Sequence, residues 1–280
     1  MEPRTLLSPK VDIIFKKVFG STNNEDILTA FLKAILGLPE EEYLSLTLVS
    51  PNISPVSSDG KTVVMDIKAA TSSGHAINVE MQRRSIPGMR ERMALYTSRM
   101  LVDQAKKGEN YSQLKKAISI VITDFRLVSE NENVHNRYYI QNRCNDTTFT
   151  EILEVHTLEL PKVPEIGAGN NNDLLYWLQL FNATSWNELS ELSERSKEMS
   201  KAVSIIQELN SDEETRLLAE AREKQEWDER SRLHKERLEG EARGKAEVAQ
   251  KMLIAGMSIE QIALFTELPI EDITKLRQPE

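Results

Sequence analysis

The sequence has little that could build a disulfide framework, a cysteine-based zinc site or a membrane span. It contains one cysteine, Cys144, and four histidines among 280 residues, too few for any of the cysteine- or histidine-rich metal centres. It has no run of about 18 apolar residues, and its first residues form no apolar signal core. These absences predict a reducing, cytoplasmic location without membrane attachment, and they leave carboxylates as the ligands for any metal ion.

Motifs of several common enzyme classes are also missing. The sequence contains no glycine-rich phosphate loop, no Gly-x-Ser-x-Gly element and no pair of histidines at metal-binding spacing. We therefore expect neither a P-loop nucleotide hydrolase nor an α/β-hydrolase, and no small-molecule cofactor.

The charges are distributed unevenly along the chain. Lys and Arg number 35, and Asp and Glu number 44, which gives a net charge of −9. Residues 1–120 contain 16 basic and 13 acidic side chains, whereas residues 121–280 contain 19 basic and 31 acidic ones. The first part of the chain can therefore present a basic surface to a nucleic acid although the whole chain is acidic.

Hydrophobic periodicity predicts an α/β fold in the first part of the chain. Apolar residues at helical spacing predict helices over residues 11–19, 26–36 and 89–107. Alternating or continuous apolar runs predict strands over residues 43–48, 62–70, 75–82, 117–125, 137–141 and 152–160. The order helix, three strands, helix and strand is typical of a mixed sheet flanked by helices.

The composition changes after Pro161, where a linker over residues 167–172 and then a series of helices are predicted. Residues 213–251 contain 11 acidic and 10 basic side chains with few apolar positions. Such a segment is a solvated helix or a loose coiled coil, through which copies of the chain could associate.

The pattern thus predicts three parts: a domain over residues 1–165, a helical extension over 166–250 and a small helix-turn-helix-like cap over 251–280. Acidic side chains dominate the cap, whereas a DNA-recognition helix should be basic. A packing or dimerisation unit is therefore favoured over a DNA reader for this last part.

Two acidic residues lie opposite one another in a predicted hairpin. Ser72-Ser73-Gly74 is typical of a turn, and a hairpin symmetric about Ser73 places Asp66 across from Glu80. Opposed carboxylates lie about 5 Å apart and repel one another unless a cation lies between them. They are either solvated residues of an exposed sheet face or ligands of a divalent ion.

The other face of the hairpin favours the metal site. Met65 and Ile67 on one strand, with Ile77, Val79 and Met81 on the other, are expected on one apolar face. The carboxylates lie on the opposite face, which need not be exposed to solvent. Oxygen ligands on paired strands suit Mg²⁺, which needs only one or two protein carboxylates and can activate a water toward a phosphodiester.

These residues resemble a known family. Asp66 followed by Glu80-Met81-Gln82 across a hairpin resembles the PD-(D/E)XK nuclease superfamily, with Gln82 in place of the final lysine. The opening Pro9–Gly20 segment is similar to that of the recombination-promoting nuclease (Rpn) and transposase-like family. The features that share this similarity, over residues 5–160, are Tyr96, Gly108, Tyr111 and the strand over 118–125.

The resemblance implies a restriction-endonuclease-like core with a C-terminal all-helical extension, and it implies roles for individual residues. Asp66 and Glu80 would bind Mg²⁺, for which Mn²⁺ could substitute, and Gln82 would be the third active-site residue. An amide can orient a water but lacks the charge of a lysine. Lys68, on the face of Asp66, either supplies that charge or is an ordinary surface lysine.

The resemblance also implies a role for the first helix. Asp12 is either a residue that supports the metal site or the i,i+4 partner of Lys16. In the first case Lys10 and Lys16 are candidate phosphate contacts.

Arginines cluster directly after the predicted active-site strand. Arg83 and Arg84 follow Gln82, and Arg92 and Arg99 share a helix stripe with Tyr96. Beside a metal site these arginines would bind phosphates of DNA, whereas Tyr96 is expected in the core.

The sequence therefore predicts a Mg²⁺-dependent DNA endonuclease. One alternative is a degenerate nuclease fold that binds nucleic acid or a protein without cutting, as Gln82 and the acidic net charge suggest. A second is a helical assembly protein whose active part is residues 196–251. Cleavage of both DNA strands would favour a homo-oligomer.

Overall fold

The computed structural model describes residues 6–49, 65–105, 107–108, 110–165 and 172–276. Contacts within the chain group it into two units, Met1–Ala219 and Glu220–Glu280. The first unit contains the whole sheet, and the second is helical.

Strands and helices follow the predicted order. The strands are β1 (Thr47–Val49), β2 (Ile67–Ala70), β3 (Ala76–Gln82), β4 (Ala117–Thr123), β5 (His135–Gln141) and β6 (Thr148–Glu159). The helices are α1 (Asp12–Phe19), α2 (Glu25–Leu36), α3 (Met89–Val102), α4 (Asp173–Asn182), α5 (Trp186–Ser193), α6 (Lys197–Ser211), α7 (Glu213–Ile254), α8 (Ile259–Thr266) and α9 (Ile270–Leu276).

The six strands form one mixed sheet in the order β1-β2-β3-β4-β6-β5. Strand β4 is parallel to both β3 and β6, whereas the other neighbouring strands are antiparallel. Helix α3 connects β3 to β4 and packs on one face of the sheet. The predicted mixed sheet flanked by helices is therefore confirmed, and α3 becomes the cover of the face that carries Glu80.

The opposite face of the sheet packs against the remaining helices of the first unit. Ile77 and Ile118 belong to this core, in which a cluster of aromatic rings has centroids 5.3–6.0 Å apart. The rings are those of Phe15, Phe19, Phe31, Trp177 and Phe181. Because these rings belong to α1, α2 and α4, the chain after residue 172 completes the core of the sheet domain.

The division into residues 1–165, 166–250 and 251–280 stays a prediction. The structure places helices α4 to α6 with the sheet, because buried residues such as Phe181 of α4 and Ile206 of α6 join its core. Helical periodicity reveals these buried faces but not which surface they cover.

Several predicted elements have different bounds in the structure, and the clearest changes are at the first strand and at α3. The strand predicted over residues 43–48 is observed as the shorter β1, Thr47–Val49, because residues 40–43 form a 3-10 helix. Pro39 precedes this helix, and the Tyr43 hydroxyl accepts the Leu38 N–H at 3.3 Å. Helix α3 ends at Val102 instead of Lys107. After Val102, the N–H groups of Gln104 and Ala105 donate to carbonyls three residues earlier, as in a turn, instead of four residues earlier as in a helix.

Parts of two other predicted elements, residues 62–64 of a strand and 167–171 of the linker, lie outside the described residues.

The second unit has a small core of its own. Ala249 of α7, Ile262 of α8 and Ile273 of α9 are fully buried against one another, which gives the helical arrangement expected for the last segment. In the part of the chain that the structure describes, no helix is both long and apolar enough to span a bilayer.

Candidate functional site

The hairpin of β2 and β3 has the predicted register. Ile67 pairs with Val79 and Lys68 with Asn78, which is the pairing expected for a hairpin centred on Ser73. Gly74 has a φ of +95°, a conformation that suits glycine because it lacks a Cβ. One residue beyond the ladder, Asp66 therefore reaches the level of Glu80.

Asp66 lies in a bend just before β2 begins. Its Oδ2 accepts the Met81 N–H at 3.3 Å, and its Oδ1 lies 3.1 Å from Lys16 Nζ. The bend breaks the period-two alternation, so the expectation that Met65 shares the face of Ile67 is wrong. Met65 instead packs with Tyr96 and other residues beneath α3.

Glu80 is buried in the middle of a polar row on β3. Only 2 % of its surface is exposed. The Asn78 amide donates to Glu80 Oε1 at 3.0 Å, and the Gln82 amide donates to Oε2 at 3.5 Å. Arg92 Nη2 of α3 lies 4.0 Å from Oε2. Three side chains thus fix the carboxylate under the helix.

Burial raises the pKa of Glu80 to about 7, and the negative charge of Asp66 contributes to the rise. The hydrogen bond from Asn78 and the charge of Arg92 act in the opposite direction. The two carboxylates are therefore close enough to repel one another, and Glu80 is shielded from water whereas Asp66 is half-buried. A cation between them would offset both the repulsion between the carboxylates and the cost of burying the Glu80 charge.

Lys16 connects the first helix to the hairpin. Its ammonium lies 2.8 Å from Asp12 Oδ1 in the expected i,i+4 pair, and the same ammonium pairs with Asp66. Burial alone would lower the pKa of Lys16, but the two carboxylates outweigh it and the pKa is raised. Asp12 and Asp66 thus share one cationic side chain.

The donor set fits a hard divalent cation in an open site. Asp66 and Glu80 supply two carboxylates, and Mg²⁺ often takes only one or two from the protein and fills its other positions with water and phosphate. The buried Asn78 Oδ1 has no hydrogen-bond partner among the described residues and adds an oxygen beside Glu80. In the same part of the chain no three His, Cys, Asp or Glu side chains form a closed metal cage.

The predicted arginines of α3 have different surroundings. Arg92 stacks over the Tyr96 ring, with its guanidinium carbon 5.0 Å from the centroid, and Tyr96 is buried as expected. Arg99 Nε pairs with Asp103 at 2.8 Å. Arg92 therefore lies beside Glu80, whereas Arg99 is about two turns of helix further along α3 and pairs with Asp103 there.

The remaining candidates are two arginines and two lysines. Arg83 and Arg84 are half-buried directly after the strand. Lys10 Nζ lies 2.7 Å from Asp124 Oδ1 and 3.4 Å from Asn182, so a phosphate would have to share or replace these partners. Lys68 is half-buried and makes no hydrogen bond or ion pair with the described residues.

Two residues near the site were missed from the sequence. Asn78, Glu80 and Gln82 lie two residues apart on β3 and therefore share one face. This spacing could have indicated Asn78 as a site residue. Asp124 follows β4 directly, and its N–H donates to the Gln82 carbonyl at 2.9 Å. A polar residue at the carboxyl end of a central strand was the available signal.

The family of the chain follows from a comparison with family models. Residues 9–236 match the model of the PD-(D/E)XK nuclease family transposases. The match covers well over half of the chain, and the protein belongs to this family. Comparisons with curated proteins and with solved structures gave no match. The expected superfamily and its α/β core are therefore confirmed.

Proposed function

We propose that the protein is a metal-dependent DNA endonuclease that hydrolyses phosphodiester bonds, in a recombination-promoting or transposase-like setting. The observation that carries the proposal is the buried Glu80 carboxylate, which lies beside Asp66 in a chain of a nuclease family. An acid whose pKa is raised by burial, and further by a neighbouring acid, is typical of functional sites.

The residues around Glu80 would have separate roles in the reaction. Asp66 and Glu80 would hold Mg²⁺ or Mn²⁺, which when bound supplies an activated water and neutralises charge on the phosphate. Asn78 and Arg92 keep the Glu80 carboxylate in place. Gln82 would orient the attacking water through its amide, and Lys68 is the nearby lysine that could contribute positive charge.

DNA would lie across the basic side chains that surround this end of β3. Arg83, Arg84 and Arg92 are the first candidates for phosphate contacts, followed by Arg99, Lys10 and Lys16. Arg92 is the strongest of these because its guanidinium already lies 4.0 Å from the Glu80 carboxylate.

The purified chain should nick supercoiled plasmid DNA when Mg²⁺ or Mn²⁺ is present and stop when EDTA is added. Gel analysis of supercoiled, nicked and linear forms measures both the rate and the number of strands cut. Cleavage that persists in EDTA would exclude the proposed metal dependence.

A second candidate function is binding of DNA without cleavage. It is favoured by the amide at Gln82 and by the engagement of both Asp66 oxygens with Lys16 and the Met81 N–H. Tight DNA binding without any nicking in either metal would select it.

Lys16 provides a prediction for metal binding. Replacing it by methionine keeps the length of the side chain but removes the ammonium that competes for Asp66. We expect the dissociation constant for Mn²⁺ to fall by up to about fivefold, since partly exposed ion pairs contribute up to about 1 kcal/mol. Isothermal titration calorimetry measures this constant.

Lys17→Met is the matched control for Lys16, because Lys17 lies on the same helix but donates to Thr215 at 2.6 Å. Weaker Mn²⁺ binding by Lys16→Met would show that the lysine positions Asp66 instead of competing for it.

We further propose a cytoplasmic location and association of copies through the C-terminal helices. The first rests on the single cysteine of the chain. The second rests on apolar side chains that α7 exposes, among them Trp227 and Leu238.

A further inference from the structure

Each carboxylate of the candidate metal site has a basic side chain beside it. Lys16 Nζ lies 3.1 Å from Asp66 Oδ1, and Arg92 Nη2 lies 4.0 Å from Glu80 Oε2. Both basic side chains are partly exposed, at 39 % for Lys16 and 34 % for Arg92. A divalent ion held by the two carboxylates would neutralise the charge that these side chains now balance.

The two basic side chains differ in the partners that they would keep. Lys16 also pairs with Asp12 at 2.8 Å, so it retains a carboxylate when the charge of Asp66 is neutralised. Glu80 is the single carboxylate within ion-pair distance of Arg92 among the described residues. Arg92 is therefore the side chain that loses its charged partner when a divalent ion binds at Glu80.

The contact of Arg92 with Glu80 is easily broken. At 4.0 Å, the distance between Nη2 and Oε2 exceeds the range of about 2.7–3.2 Å for an N–H···O hydrogen bond, so charge attraction holds the pair. The guanidinium also lies over the Tyr96 ring, with its carbon 5.0 Å from the centroid. Stacking leaves the N–H groups at the edge of the guanidinium plane available, so Arg92 can change its acceptor without leaving the ring.

A DNA phosphate is the acceptor that would replace the Glu80 carboxylate. In a metal-dependent nuclease the phosphate that is attacked shares the divalent ion with the carboxylates, so it would lie next to the group that Arg92 now faces. A guanidinium donates two parallel hydrogen bonds to a phosphate, and such charged pairs are stronger than neutral hydrogen bonds. The exchange therefore replaces a long ion pair by a hydrogen-bonded one.

We propose that Arg92 is a metal-responsive phosphate contact, which pairs with Glu80 in the metal-free protein and with a DNA phosphate when a divalent ion is bound. The proposal rests on the proposed nuclease function and adds a coupling between its two ligands. Because Glu80 retains Arg92 only without the ion, metal and DNA strengthen the binding of one another by the same factor. Molecules that carry the ion would hold DNA more firmly than molecules that lack it.

The experiment measures the dissociation constant of a short DNA duplex by fluorescence anisotropy, in EDTA and in Mn²⁺. Phosphorothioate linkages keep the charge of the duplex and slow its cleavage. We expect Arg92→Met to match the wild type in EDTA and to bind DNA about 3- to 10-fold more weakly in Mn²⁺, which is the contribution of one hydrogen bond. Comparing variants in the same buffer cancels the direct effect of Mn²⁺ on the DNA.

Arg90→Met is the matched control for Arg92→Met. Arg90 lies on the same helix, and its carboxylate partner at 3.5 Å is Glu130, which is not one of the proposed metal ligands. Any effect of Arg90→Met on DNA affinity should therefore be the same in EDTA and in Mn²⁺. Arg92→Lys keeps the positive charge and should recover part of the loss in Mn²⁺. Thermal unfolding checks that each variant is folded.

Calorimetric titration of the DNA-free protein with Mn²⁺ separates this proposal from the proposed function. A wild-type protein that binds no Mn²⁺ overturns the metal site and both proposals with it. If Mn²⁺ binds and Arg92→Met loses the same factor of DNA affinity in both buffers, Arg92 is a permanent phosphate contact and the exchange is wrong. Unchanged DNA affinity of Arg92→Met in both buffers would leave Arg92 as a structural partner of Glu80 and would also overturn the exchange.

Discussion

Replacing Asp66 with asparagine is expected to lower the rate of metal-dependent DNA cleavage by at least about a hundredfold. Asparagine has the same shape and can still accept the Met81 N–H through its carbonyl oxygen. It lacks the charge that would bind a divalent ion together with Glu80. The measurement is the initial rate of plasmid nicking at saturating Mg²⁺.

Asp103→Asn is the matched control for this variant, since Asp103 pairs with Arg99 at the end of α3 and belongs to the same unit. It should retain wild-type cleavage. Asp66→Asn also leaves Lys16 paired with Asp12 as its one charged partner among the described residues. Thermal unfolding of both variants therefore separates a folding defect from a catalytic one. Undiminished nicking by Asp66→Asn would remove this carboxylate from the active site.

The metal-free protein is expected to lose stability as the pH rises from about 4.5 to 7. Glu80 has a folded pKa of about 7 against an ordinary value of 4.5. Below pH 4.5 Glu80 is protonated in both the folded and the unfolded protein, and its full contribution to the free energy of unfolding is present. Between the two values the unfolded chain releases the proton while the folded chain keeps it, so the free energy of unfolding falls by about 3 kcal/mol.

Urea denaturation in EDTA at a series of pH values measures this loss. Glu80→Gln should flatten the pH dependence, because its amide does not titrate, whereas Glu91→Gln on the exposed side of α3 should leave it unchanged. A divalent ion binds the ionised carboxylate, so its stabilising effect should grow with pH. An identical slope in the wild type and in Glu80→Gln would assign the effect to other groups.

The hairpin shows how much of the site is readable from local sequence. The turn chemistry of Ser72–Gly74 and the alternation on both sides fix the register, and with it the opposition of Asp66 and Glu80. The same alternation also contains Asn78. Strand periodicity is local, so a sequence can specify it without knowledge of the rest of the fold.

The parts that could not be predicted depend on contacts between distant segments. The bend at Asp66 moves Met65 beneath α3, and Lys16 reaches Asp66 only because α1 packs close to the start of β2. In the same way, the helical pattern of residues 173–181 reveals an apolar face but not that Phe181 meets Phe15. Such contacts depend on how whole helices and strands pack together, and the local spacing of residues does not encode them.

The shared ammonium between Asp12 and Asp66 has a consequence for how the protein would acquire its metal. An internal counter-ion already neutralises Asp66, so the chain can reach its final shape in the absence of divalent ions. For a divalent ion to replace the Lys16 ammonium, only this one partly exposed side chain has to rotate, a motion of picoseconds to nanoseconds. The rate of metal binding would then be limited by the loss of water ligands from the incoming ion.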